Sequence, residues 1–90
     1  MKGGNISMTI LRDLEKFVIT EIAAGQGNKS LDSEENLLEM GIIDSLGIMK
    51  LVNFMEEEFS IKIADQEIIP ENFQQLSCMA SFIERKMKNK

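Results

Sequence analysis

Three stretches of this chain repeat apolar residues in steps of three and four, and the segments between them are broken by glycine or proline. Each such stretch forms a helix with one apolar face, and the faces must be buried against one another. The pattern predicts an all-α bundle. With 90 residues, the chain makes one domain around a single core and is too short to enclose a deep substrate cavity.

In chain order, Met1 to Ile6 has no periodicity and reads as a disordered terminus, leaving residues 7–88 as the single domain. Ser7 or Thr9 is the expected cap of a first helix that runs to about Ala24, with Ile10/Leu11, Leu14, Phe17/Val18 and Ile22 inward. Gly25-Gln26-Gly27 supplies residues that tolerate a helix C-terminus. From Leu31 to Ile43 the chain is expected to form a long ordered loop anchored by Leu31, Leu37, Leu38, Met40 and Ile42, with a turn of helix after Ser33.

A second helix takes Asp44 or Ser45 as its cap and ends near Phe59. Its inward stripe is Ile48, Leu51/Val52, Met55 and Phe59, while Leu46 and Met49 fit that stripe poorly and Lys50, Asn53, Glu56 and Glu57 lie on the wetter face. Ile61-Lys62-Ile63 alternates like an extended segment, and Asp65 is expected to cap a short third helix through Ile69 that Pro70 ends. The last helix, about Gln75 to Met87, buries Leu76, Met79/Ala80 and Ile83 and closes on cations. The expected product is a four-helix bundle of three main helices and one short one, with a long first connection.

Composition removes most chemistries. There is no histidine, so no Ser-His-Asp or Cys-His site exists, and one cysteine without histidine builds no zinc site. Glu56-Glu57-Glu58 are consecutive and point around their helix instead of converging on a metal. Cys78 cannot form an internal disulfide and, four residues before Phe82, reads as a core or boundary residue. No apolar run reaches the length of a membrane span and no signal-peptide core is visible, so a cytoplasmic protein is expected.

The charge is unevenly placed. Of the net charge of −5, the excess lies in residues 29–59, which hold eight acidic and two basic side chains. Such a field repels nucleic acid and attracts basic protein surfaces. At its centre is Gly41-Ile42-Ile43-Asp44-Ser45-Leu46. A serine at this loop-to-helix junction sits where unpaired N–H groups favour an attached phosphate. No base in the chain activates Ser45, so chemistry on it must come from another enzyme. The plainer reading of Asp44-Ser45 is a helix cap alone.

This segment resembles the G-x-D-S-L attachment motif of the acyl carrier and peptidyl carrier proteins, with one extra residue between glycine and aspartate. The likeness extends through Leu37-Leu38-Glu39-Met40, Leu51-Val52, Met55 to Phe59, Ile61-Lys62-Ile63 and Ile69-Pro70-Glu71-Asn72-Phe73, covering about Ser7 to Met87. The resemblance implies that a phosphopantetheinyl transferase uses coenzyme A to place 4′-phosphopantetheine on Ser45, with Asp44 assisting attachment. It implies a carrier, not an enzyme, that holds an acyl or aminoacyl group as a thioester. Its implied partners are a loading ligase and a downstream transferase or synthase, met through Leu46, Met49, Asn53, Glu56 and Glu57.

Gly47, Lys50 and Asn53 depart from the pattern of fatty-acid carriers, and Pro70 to Phe73 is similar to free-standing carriers of specialised pathways. The expectation is therefore a monomeric specialised carrier. The alternative is an unmodified interaction module of the same fold.

Overall fold

The structure, a computed structural model, describes residues 6–23 and 30–88. Its elements are α1 (Ile6–Phe17), a π-helical turn (Val18–Ile22), α2 (Ser45–Phe59), a 3₁₀ turn (Asp65–Glu67), α3 (Pro70–Phe73) and α4 (Leu76–Lys88). The fold is the expected all-α helical bundle, with no strand among the described residues.

The periodic faces meet as their spacing requires. Ile10, Leu14 and Val18 are buried from the first helix, Leu51, Val52 and Met55 from α2, and Leu76, Met79 and Ile83 from α4, with Phe82 also buried. Phe73 closes the core from α3, its ring 5.9 Å from that of Phe82. Among the described residues no polar or charged side chain is buried, so apolar burial is what holds the helices together. The first helix packs mainly on α4, as does α3, while α2 meets both α4 and the π-helical turn.

The first helix differs from expectation at both ends. It begins at Ile6, so the expected caps Ser7 and Thr9 lie inside its first turn. Its α-helical register stops at Phe17, because the Thr20 hydroxyl donates to the Lys16 carbonyl at 2.7 Å and competes for that acceptor. The chain widens into the π turn, closed by the Ala23 N–H on the Val18 carbonyl at 2.7 Å. The Gly25-Gln26-Gly27 break lies outside the described residues.

The short third helix also lies later than predicted. Residues 65–67 make only a 3₁₀ turn, with the Glu67 and Ile68 N–H groups donating to the Ala64 and Asp65 carbonyls at 2.9 and 3.0 Å, because Ile69, extended before Pro70, cannot continue a helix. Asp65 is thus inside the turn instead of capping it. Ile69 is extended (φ −126°, ψ 155°), as a residue before proline should be, and Pro70 opens α3 at its first position. α2 ends on Ser60 in the left-handed region at φ 55°.

Candidate attachment site

The long loop is ordered by its own backbone bonds and by α4. The segment after Ser33 forms turns instead of the expected helical turn, because its hydrogen bonds go elsewhere: the Ser33 carbonyl accepts from the Ser77 N–H at 3.0 Å, and the Glu34 carbonyl from the Gln75 side chain at 2.7 Å. The Leu37 N–H donates to the Gln74 carbonyl at 2.7 Å, fastening the middle of the loop to the start of α4.

A second turn then aims the chain at α2. The Asn36 side chain accepts from the Glu39 N–H at 3.0 Å, and the N–H groups of Ile42 and Ile43 both donate to the Leu37 carbonyl, at 3.0 and 3.2 Å. This reversal needs Gly41, whose φ is +78°. It buries Leu37, Ile42 and Ile43 but turns the expected anchor Met40 outward, 53% exposed, since Met40 occupies the outer side of the turn.

Burial of Ile43 places Asp44 at the N-cap. Its backbone is extended, its Oδ1 accepts from the Gly47 N–H at 2.9 Å, and its carbonyl accepts from the Ile48 N–H at 2.9 Å. The cap is therefore Asp44, and Ser45 is the first helical residue, exposed, with its hydroxyl not spent on capping. Ser45 and Leu46 carry first-turn N–H groups that precede intrahelical bonding and favour an anion.

The expected recognition residues divide. Leu46 (68%) and Met49 (56%) stand in solvent, and Asn53 and Glu57 are exposed beyond them. Glu56 is half-buried and its Oε2 accepts from the Ile63 N–H at 2.9 Å, holding the segment that follows α2. Gly47 and Lys50, two departures from the pattern of fatty-acid carriers, lie against the π turn. A Cβ on Gly47 would lie 3.2 Å from the Ile22 side chain and 3.3 Å from that of Ile43. Lys50 Nζ lies 3.4 Å from the Glu21 carbonyl. A glycine in the first turn of a helix was the sequence signal for this close approach, since glycine there otherwise only weakens the helix.

An open groove of about 340 Å³ runs along the stacked rings of Phe17 and Phe54, 4.3 Å apart, and is lined also by Asp13, Lys16, Thr20, Glu21 and Glu58. Among the described residues no group of three or more acidic or cysteine side chains is placed to hold a metal, and no helix is long and apolar enough to cross a membrane.

A bundle that offers an exposed serine at the mouth of a capped helix is the architecture of a carrier domain. The family model described as "Phosphopantetheine attachment site" matches residues 18–83. The chain is 39% identical over 75 residues to "Probable acyl carrier protein PigG" of Serratia sp. (strain ATCC 39006), covering 80% of this chain and 86% of that protein. It is 31% identical over 75 residues to "Acyl carrier protein homolog" of Mycoplasmopsis pulmonis (strain UAB CTIP), covering 83% and 97%. A solved chain described as "Crystal structure of FAD-dependent dehydrogenase" superposes with a TM-score of 0.69 at 31% identity, covering 78% of this chain and 97% of that one.

The chain belongs to the phosphopantetheine-attachment family and is a carrier protein of the acyl-carrier type. Its members are carriers instead of catalysts, and the group they bear is 4′-phosphopantetheine. The residues at the α2 entrance fit that group: an exposed hydroxyl to esterify and first-turn N–H groups for the phosphate.

Proposed function

We propose that Ser45 is the residue that carries 4′-phosphopantetheine and that the protein tethers an acyl or aminoacyl group for presentation to partner enzymes. The observation that supports this most directly is the division of labour at the α2 entrance, where Asp44 caps the helix and leaves the exposed Ser45 hydroxyl for modification. The phosphodiester would lie over the N-terminus of α2, where the helix dipole favours negative charge. With no histidine in the chain, the base that takes the serine proton belongs to the phosphopantetheinyl transferase. The Asp44 carboxylate, beside the serine, assists that enzyme.

When bound, the arm supplies a terminal thiol that holds the carried group as a thioester. The protein's own contribution is to raise the effective concentration of that group at each partner and to give the partner a surface to recognise. Leu46, Met49, Asn53 and Glu57 form that surface on α2. Glu56 contributes there while also bonding to the Ile63 N–H.

Partners are a loading ligase and a downstream transferase or synthase of a specialised cytoplasmic pathway, with the carrier domain spanning residues 7–88 and acting as a monomer. The structural likeness to a chain described as "Crystal structure of FAD-dependent dehydrogenase" adds flavin-dependent oxidation of the carried group to the downstream steps considered.

Co-expression with a promiscuous phosphopantetheinyl transferase, followed by intact-mass measurement, tests the proposal. One added phosphopantetheinyl mass on the natural chain, and none on Ser45→Ala, is the expected result. An unmodified natural chain would instead make this an interaction module of the same fold.

A further inference from the structure

We infer that the exposed stripe of α2 is read by a partner surface of mixed charge: apolar opposite Leu46 and Met49, acidic opposite Lys50, and basic opposite Glu57. The inference deepens the carrier reading and rests on it.

Leu46, Lys50, Asn53 and Glu57 follow one another at helical spacing and are all exposed, so they form one continuous line along α2, with Met49 beside it. The line has a charge order. The first turn of α2 holds no acid, Lys50 follows in the second turn, and the acids of the helix begin only at Glu56. Of those acids, Glu56 is bonded to the Ile63 N–H and Glu58 lines the groove beside Phe54, which leaves Glu57 in the stripe. Lys50 and Glu57 are seven residues apart on the same face, a separation of about 10 Å along the axis.

Lys50 keeps its charge available. Its contact is with the carbonyl of Glu21, a neutral acceptor, at 3.4 Å, so the ammonium is steered over the π turn without being neutralised. A uniformly basic partner face would then set a cation against Lys50, next to the exposed apolar pair Leu46 and Met49. Like charges so placed reject a wrong partner, while an opposed acid steers the right one.

The test measures binding of the unmodified full chain, so it does not depend on attachment at Ser45. The probe is a malonyl transferase with a uniformly basic carrier-docking face, together with variants in which single docking-face arginines are replaced by Glu. Lys50→Glu should bind the parent transferase about tenfold more tightly at low salt, and the gain should shrink at high salt. Glu57→Lys should weaken binding to the parent. The natural chain should prefer one of the Glu-bearing transferases, and Lys50→Glu should lose that preference. Equal affinities of Lys50→Glu and the natural chain for every probe, with thermal unfolding unchanged, would overturn the inference. Absence of an added mass in the co-expression experiment would overturn the carrier reading alone.

Discussion

Gly47 and Ile22 approach so closely that a methyl group on Gly47 would meet the Ile22 side chain at 3.2 Å. This contact seats the π-helical end of the first helix against the entrance of α2, two residues from Ser45. Alanine gains helix propensity there but must displace two neighbouring side chains, and the effects offset to within about 1 kcal/mol. Gly47→Leu has no such room and should destabilise by about 1–3 kcal/mol in urea unfolding.

Asp44 holds the helix through an oxygen acceptor, which asparagine retains. Asp44→Asn should therefore unfold within about 0.5 kcal/mol of the natural chain, whereas Asp44→Ala should lose about 1 kcal/mol. If the carboxylate charge assists attachment, Asp44→Asn should still slow the appearance of the modified mass in a time course. Equal rates for Asp44→Asn and the natural chain would confine Asp44 to capping.

Glu56 and Glu57 are neighbours with different surroundings. Glu56→Ala removes a charge-assisted bond to the Ile63 N–H and should cost about 1–2 kcal/mol of stability. Glu57→Ala, at an exposed position, should change stability by less than about 0.5 kcal/mol. Paired denaturation curves separate the two.

Ser60 ends α2 in a left-handed conformation, with φ 55°. Glycine reaches that region without a Cβ penalty, so Ser60→Gly should raise the unfolding free energy by about 0.5–1 kcal/mol. A loss of stability would show that the serine side chain contributes more than its strain costs.

Lys86 and Glu67 form an ion pair at 2.8 Å between the last helix and the 3₁₀ turn. Hydrogen bonds from Lys86 and from the Ala64 N–H hold the Glu67 carboxyl below its ordinary value of 4.5. The folded state thus binds fewer protons than the unfolded state as the carboxyl titrates, and stability rises with pH across that interval. The contribution is present above about pH 4.5 and fades as pH falls through the lower folded value. Both side chains are more than a quarter exposed, so screening should limit the effect of Lys86→Met at neutral pH to about 1 kcal/mol or less. The difference from the natural chain should vanish in acid; a difference unchanged at about pH 3 would show that the pair does not act through charge.

The sequence by itself determined the helical faces, the ordered loop, and a serine at the start of α2, because these depend on local spacing and on residue types within a few positions. Ile10, Leu14, Leu51, Met55, Met79 and Ile83 are buried as their periodicity requires. Local reasoning could not choose between Asp44 and Ser45 as the cap, since either side chain suits that position. Burial of Ile43 by the rest of the core made the choice and freed the Ser45 hydroxyl. Tertiary structure likewise turned Met40 outward and bonded Glu56 to Ile63. It also brought Gly47 and Lys50 against the π turn. Each of these depends on atoms distant in sequence meeting within a few ångströms, a relation that the periodicity of one helix does not contain.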